Sequence, residues 1–196
     1  MLNETELKIL GAFFPEGTEK TIKEIEKHSG YSHERAYSTL KALEKKGILK
    51  KDKVGKTLVF SIKKFDDSSY LAFVFYSLSK KELFIKKYPY VRKVLEEFIA
   101  KTKLEMVILF GSYSRNEETE RSDIDVFCIN GFSQTEKIAL SLRHKYNLKI
   151  APVIINKEDF KNIELENPQL WEELLKFGII LKGYELFFDL VYRWRK

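Results

Sequence analysis

Apolar residues near the start of the chain recur at helical spacing and then switch to alternation. Leu2, Leu7, Ile9, Leu10, Phe13 and Phe14 follow Asn3, whose side chain suits a helix N-cap, and Pro15 and Gly17 close the segment. Thr21 opens a second short helix, with Glu24 in capping-box register, Ile22 and Ile25 on one face, and Ser29-Gly30 at its end. Ser32 caps a third that runs to about Lys46 with Ala36, Leu40 and Leu43 inward, and Gly47 stops it. Residues 48–51 and 57–62 alternate apolar and polar positions around Lys53-Val54-Gly55-Lys56, which predicts a basic hairpin.

Residues 66–102 return to helical periodicity. Asp66-Asp67-Ser68-Ser69 offers caps for a segment reaching about Leu78, Ser79 offers a cap for another containing Leu83, Phe84 and Ile85, and Pro89 interrupts the pattern. Val91, Val94, Leu95, Phe98 and Ile99 then form the stripe of a helix that packs on a following sheet. The aromatic stripe at residues 73–78 fits either ordinary core or an interface, between domains or between two copies of the chain as a homodimer. The predicted organisation is residues 1–64, a helical connector at 65–102, and a second domain at 103–196.

In the second domain the pattern becomes chemical. Residues 106–110 are an unbroken apolar run, as in a strand buried on both faces, and end abruptly in Gly111-Ser112. Residues 122–129 alternate acidic and apolar positions before becoming wholly apolar. Strand side chains repeat every second residue, so Asp123 and Asp125 point one way and Ile124 and Val126 the other. Two carboxylates converging in an apolar surround are stable as anions chiefly with a cation between them. Hard oxygen ligands favour Mg²⁺ (or Mn²⁺), which commonly completes its shell with substrate phosphate. Gly111 lets the backbone approach a phosphate, and the Ser112 hydroxyl and nearby N–H groups donate to its oxygens.

Composition narrows the setting. The 196 residues are 44% hydrophobic and 33% charged, a balance that folds throughout. Of the formal net charge of +6, residues 1–86 hold 17 basic and 12 acidic side chains and the remainder 18 and 17, so the surplus that would attract a polyanion is N-terminal. Cys128 is the single cysteine, excluding an intrachain disulfide or a thiolate cluster, and His28, His33 and His144 lack metal-ligand spacing. No apolar run approaches the roughly 18 residues that span a bilayer, and no basic-then-apolar leader is present, so the expected address is cytoplasmic with no membrane partner. Trp171 and Trp194 read as packing residues, and the aromatic and basic residues of 187–196 suit a neighbouring surface or a nucleic acid.

Two resemblances follow from these residues. Helix, helix, turn, helix and basic hairpin in residues 1–64 resembles the winged helix-turn-helix of archaeal and bacterial transcription regulators. It implies a third helix lying in the major groove of double-stranded DNA, with Ser32, His33, Arg35, Tyr37, Ser38, Thr39 and Lys41 as contacts, and a wing adding Lys53 and Lys56. Leu109-Phe110-Gly111-Ser112-Tyr113-Ser114-Arg115-Asn116, followed after six residues by Asp123-Ile124-Asp125-Val126, resembles the signature of polymerase-β-type nucleotidyltransferases, and is most similar to the minimal members. Those carry an arginine and a glycine where Arg115 and Asn116 stand, and asparagine tolerates the left-handed backbone that glycine serves. Phe177-Gly178-Ile179-Ile180-Leu181-Lys182-Gly183-Tyr184 resembles the family's closing segment, so the likeness spans residues 87–185.

This second resemblance implies an α/β (α+β) domain, a mixed sheet flanked by helices. Ser112 and its turn would hold the β and γ phosphates of a nucleoside triphosphate, Asp123 and Asp125 would hold the catalytic metals, and Arg115 would bind phosphate or brace the loop. Transfer of the nucleotidyl group would release pyrophosphate. The family's third acid, on a later strand, falls at Val153, which cannot bind metal; Glu158 and Asp159 come close in sequence, but Asn156 with Asp159 reads more simply as a helix cap than as a substitute. Three functions fit: an Mg²⁺-dependent nucleotidyltransferase acting on a hydroxyl acceptor, a DNA-binding regulator whose transferase domain binds nucleotide without efficient catalysis, and an antitoxin-like partner of a HEPN-type ribonuclease toxin.

Overall fold

The computed structural model describes residues 2–15, 17–130 and 134–192. The chain divides into two compact units, Met1–Ser79 and Lys80–Lys196.

The first unit contains α1 (Glu4–Gly11), β1 (Lys20–Thr21), α2 (Ile22–Ser29), α3 (His33–Lys45), β2 (Leu49–Val54) and β3 (Thr57–Ile62). Capping boxes start α1 at Asn3 with Glu6 and α2 at Thr21 with Glu24, each satisfying N–H groups that a first helical turn leaves open. The strands form one antiparallel sheet in the order β1-β3-β2, and the Val54–Thr57 pair makes Gly55-Lys56 the wing turn. Ile9, Leu10, Ile25, Ala36, Leu40, Leu43 and Phe60 are buried. The nearly enclosed Glu6 carboxylate takes the Lys46 ammonium at 2.6 Å.

Three local boundaries differ from the periodicity. Helix α1 stops at Gly11, and residues 12–15 form a turn that still delivers Phe13 to the core. Strand β2 continues to Val54, its exposed lysines riding on a backbone ladder against apolar residues of β3, as in Lys51 with Phe60 and Lys53 with Leu58. Between the two halves, α4 (Asp67–Lys87) is one helix with no break at Ser79. The hydroxyls of Ser77 and Ser79 donate back to Phe73 O at 2.8 Å and Phe75 O at 2.9 Å, so these serines are satisfied inside a continuing helix. The boundary between units falls within α4. Phe73 is core of the first unit, against Phe14 at 5.5 Å and Phe65 at 5.9 Å, whereas Leu78 is exposed.

The second unit continues with α5 (Pro89–Lys101), β4 (Met106–Leu109), α6 (Gly111–Arg115), β5 (Ile124–Ile129), α7 (Thr135–Tyr146), β6 (Ile150–Ile155), α8 (Lys157–Glu166), α9 (Pro168–Lys176), β7 (Ile179–Lys182) and α10 (Tyr184–Tyr192). Its sheet has the order β6-β5-β4-β7, with β4 antiparallel to β5 and β7 and β5 parallel to β6, the mixed sheet anticipated above. Val107, Leu109, Ile124, Val126 and Cys128 form one core with Val94, Leu95 and Phe98 of α5 and Ala139 and Leu142 of α7. On the opposite face Phe127 meets Phe160 of α8 at 5.8 Å, and Phe160 meets Trp171 of α9 at 5.7 Å. Burial of each such side chain contributes about 1.5–3 kcal/mol, which fixes the strand ends where the polar residues of the motif begin.

Proline in β6 is explained by register. Ile124 N–H donates to Lys149 O at 2.8 Å and Asn130 N–H to Ile155 O at 3.0 Å, so odd-numbered residues of β6 bond to β5 while Pro152 turns its donorless nitrogen to the open edge. Among the described residues no helix is long and apolar enough to cross a membrane. Residues 193–196, Trp194 among them, lie outside the described residues.

Candidate functional site

The turn after β4 is built around a missing side chain. Phe110 is extended and donates its N–H to Asp125 O at 3.0 Å, after which Gly111 takes φ +72°. A Cβ on Gly111 would lie 2.2 Å from Asp125 Oδ2, so only glycine lets this carboxylate rest against the turn. Ser114 Oγ donates to Gly111 O at 2.8 Å, and Glu117 N–H to Ser112 O at 2.9 Å. Among the described residues the half-buried Ser112 hydroxyl takes no partner. Asn116 adopts φ +60° and ψ +35°, the left-handed cap its side chain permits, and its amide oxygen accepts from Lys87 Nζ at 3.0 Å and Tyr88 OH at 3.4 Å.

Strand β5 begins one residue after Asp123, so that residue stands at the lip of the sheet and Asp125 just inside it, while Ile124 and Val126 are buried toward α5 and α7. The Lys149 ammonium pairs with Asp123 Oδ2. Burial, then the neighbouring carboxylates of Asp123 and Glu173, hold the Asp125 carboxyl above its usual range, opposed by Lys149 and Arg115. Arg115 donates from Nε to Glu117 Oε2 at 2.8 Å and from Nη1 to Glu173 Oε1 on α9.

Register sets two apolar residues on the Asp125 face of the sheet. Asp125 lies beside Ala151 and Phe127 beside Val153 in the parallel β5–β6 pair, so Ala151 and Val153 share the Asp125 face and offer it a methyl group and a half-exposed isopropyl group. Asn156 caps α8 by accepting the Asp159 N–H at 2.7 Å. The neighbours that sequence reading passed over are Lys149 and Glu173. Each is an ordinary charged residue with no local spacing signal.

The donor set fits a hard divalent cation. Asp123 and Asp125 supply carboxylate oxygens from one strand end, and among the described residues no three of His, Cys, Asp and Glu gather closely enough to enclose a metal alone. Such a site suits Mg²⁺ or Mn²⁺, with water and phosphate completing the shell. Cys128 is no ligand, because burial pushes its thiol up to about 12.

In the first unit the groove-facing candidates line α3 and the wing. Ser32 caps α3 by accepting the Arg35 N–H at 3.4 Å. His33 sits 2.6 Å from Glu26 and stacks on Tyr37 at 6.0 Å, and the Lys41 ammonium lies over the same ring at 4.5 Å. Arg35 donates to Thr5 Oγ1 at 2.8 Å with its guanidinium 4.1 Å over Tyr31. Ser38 and Thr39 return their hydroxyls to Arg35 O. Lys53 on β2 and Lys56 in the wing turn are exposed.

Comparison with known proteins agrees with both halves. The polymerase beta nucleotidyltransferase family matches residues 92–185, and the sugar-specific transcriptional regulator TrmB family matches residues 2–66. Three proteins of Methanocaldococcus jannaschii, each named for a proposed protein adenylyltransferase activity, are similar. One is 34% identical over 87 residues, covering 40% of this chain and 70% of the relative. The second is 27% identical over 120 residues, covering 54% and 76%, and the third 37% identical over 78 residues, covering 33% and 79%. The solved structure of TrmBL2, an archaeal chromatin protein, aligns over 86% of this chain and 71% of its own at 18% identity, with a TM-score of 0.27, too low to bear on the fold. The chain belongs to the polymerase-β-type nucleotidyltransferases and carries a TrmB-type winged helix at its N-terminus.

Proposed function

We propose that the second unit transfers an adenylyl group from ATP to a hydroxyl of a protein acceptor, and that the winged helix holds the protein on double-stranded DNA. The observation that carries the transferase reading is the approach of Gly111 to Asp125, which brings a phosphate-compatible turn and a metal-compatible carboxylate into contact. Ser112 and the turn bind the β and γ phosphates, and Asp123 and Asp125 hold Mg²⁺ or Mn²⁺. The cation would supply charge neutralisation at the α-phosphate and the departing pyrophosphate. Arg115, engaged by Glu117 and Glu173, braces the turn against α9. ATP and a protein acceptor are taken from the names of the relatives.

The test is incubation of the full chain with Mg²⁺ and each α-labelled nucleoside triphosphate beside an Asp123→Ala/Asp125→Ala control. Transfer of label from ATP to protein by the parent alone supports the reading, and equal labelling by both refutes it.

A second reading is favoured by Ala151 and Val153, which put apolar side chains on the Asp125 face of β6. It makes the protein a DNA-binding regulator whose transferase unit senses nucleotide without turnover. Tight nucleotide binding without label transfer, together with a nucleotide-dependent change in duplex affinity, selects it.

A further inference from the structure

Asp123 already has a cationic partner, and the fold supplies it. Lys149 lies just before β6, and the bond from Ile124 N–H to Lys149 O, 2.8 Å long, opens the β5–β6 ladder. The Lys149 backbone is therefore fixed beside Asp123 whatever its side chain does, and the ammonium reaches Asp123 Oδ2. Both side chains remain accessible, Lys149 at 49% and Asp123 at 36%, so water or an ion can replace either partner. Lys149 also lines a groove of about 250 Å³ between α7 and β6, together with Glu136, Arg143 and Pro152. That groove offers the flexible lysine stem room to move.

Resting on the metal-site reading above, we propose that Lys149 is a displaceable counter-ion: it neutralises Asp123 until a divalent cation takes that carboxylate, and then withdraws into the α7–β6 groove. Asp123 cannot serve an inner-shell metal and a close ammonium equally well, because the two cations repel at that distance. The lysine keeps crowded carboxylates tolerable without metal, and in return lowers metal affinity below what Asp123 and Asp125 would give alone.

The test is Mn²⁺ binding to the full chain, read from the free-ion paramagnetic resonance signal at low ionic strength with no nucleotide, for the parent, Lys149→Gln, Lys149→Arg and Asp123→Ala/Asp125→Ala. Lys149→Gln is expected to bind Mn²⁺ about three- to fivefold more tightly than the parent, the ratio for losing one partly exposed ion pair. Lys149→Arg, which keeps the charge, stays within about twofold of the parent. Mn²⁺ bound by the parent but no more tightly by Lys149→Gln overturns the counter-ion role alone. Equal Mn²⁺ binding by the parent and the double-alanine variant removes the metal site itself and this proposal with it.

Discussion

Replacing Gly111 by alanine places a methyl group where Asp125 now sits. The backbone there has φ +72°, and the added carbon would be 2.2 Å from Oδ2, 3.0 Å from Cγ and 3.1 Å from Cβ of Asp125. The left-handed backbone costs about 1–2 kcal/mol for any residue with a side chain. Relieving the collision requires the carboxylate to leave its rotamer, at about 0.5–1.5 kcal/mol more. Gly111→Ala should therefore destabilise the second unit by about 1.5–3.5 kcal/mol, and weaken Mn²⁺ binding although no ligand has been removed. In an Asp125→Ala background the colliding oxygen and Cγ are gone and only the Cβ contact at 3.1 Å remains, so the same substitution should cost little more than the backbone share. The coupling across the double-mutant cycle is then about 1 kcal/mol. Urea unfolding of the four proteins, followed by tryptophan emission because Trp171 packs on Phe160 in this unit, measures it directly. Additivity within about 0.3 kcal/mol would refute the claim that this glycine exists to admit the carboxylate.

Asp125 should leave a pH signature. Its folded pKa is raised, so its favourable contribution is complete below the unfolded value and is lost as pH rises through the folded one; Asp125→Asn should stabilise the metal-free protein at pH 7 by less than about 1 kcal/mol and flatten its urea stability between pH 4 and 7. Lys80 gives a second window: its ammonium donates to Gly178 O at 2.9 Å, burial lowers its pKa to about 8, and the folded state loses the proton first. The stability of the parent relative to Lys80→Met should therefore rise between pH 8 and 10.5, and a flat difference in thermal unfolding would rule this out. In the first unit, Lys53→Ala/Lys56→Ala should weaken binding to unrelated duplexes about equally and reduce the salt dependence by about two phosphate contacts; an unchanged slope in fluorescence anisotropy would remove the wing from the interface.

The sequence by itself determined most of the elements and the face that Asp123 and Asp125 share. Capping pairs such as Thr21 with Glu24 and Asn156 with Asp159 act within four residues, so their geometry is written locally and reappears in the structure. The buried run before Gly111-Ser112 and the two-residue period at Asp123 and Asp125 likewise specify strands and a shared face without reference to the rest of the chain. Tertiary structure decided what those residues meet. Lys149 is 26 positions from Asp123 and Glu173 is 58 from Arg115, and contacts that distant arise from sheet register and helix packing, which leave no spacing pattern to read. The same holds for Ala151, which only the β5–β6 register sets beside Asp125. Short-range hydrogen bonding and periodicity are properties of a segment, whereas the charge environment of the site is a property of strands and helices brought together by burying the faces between them.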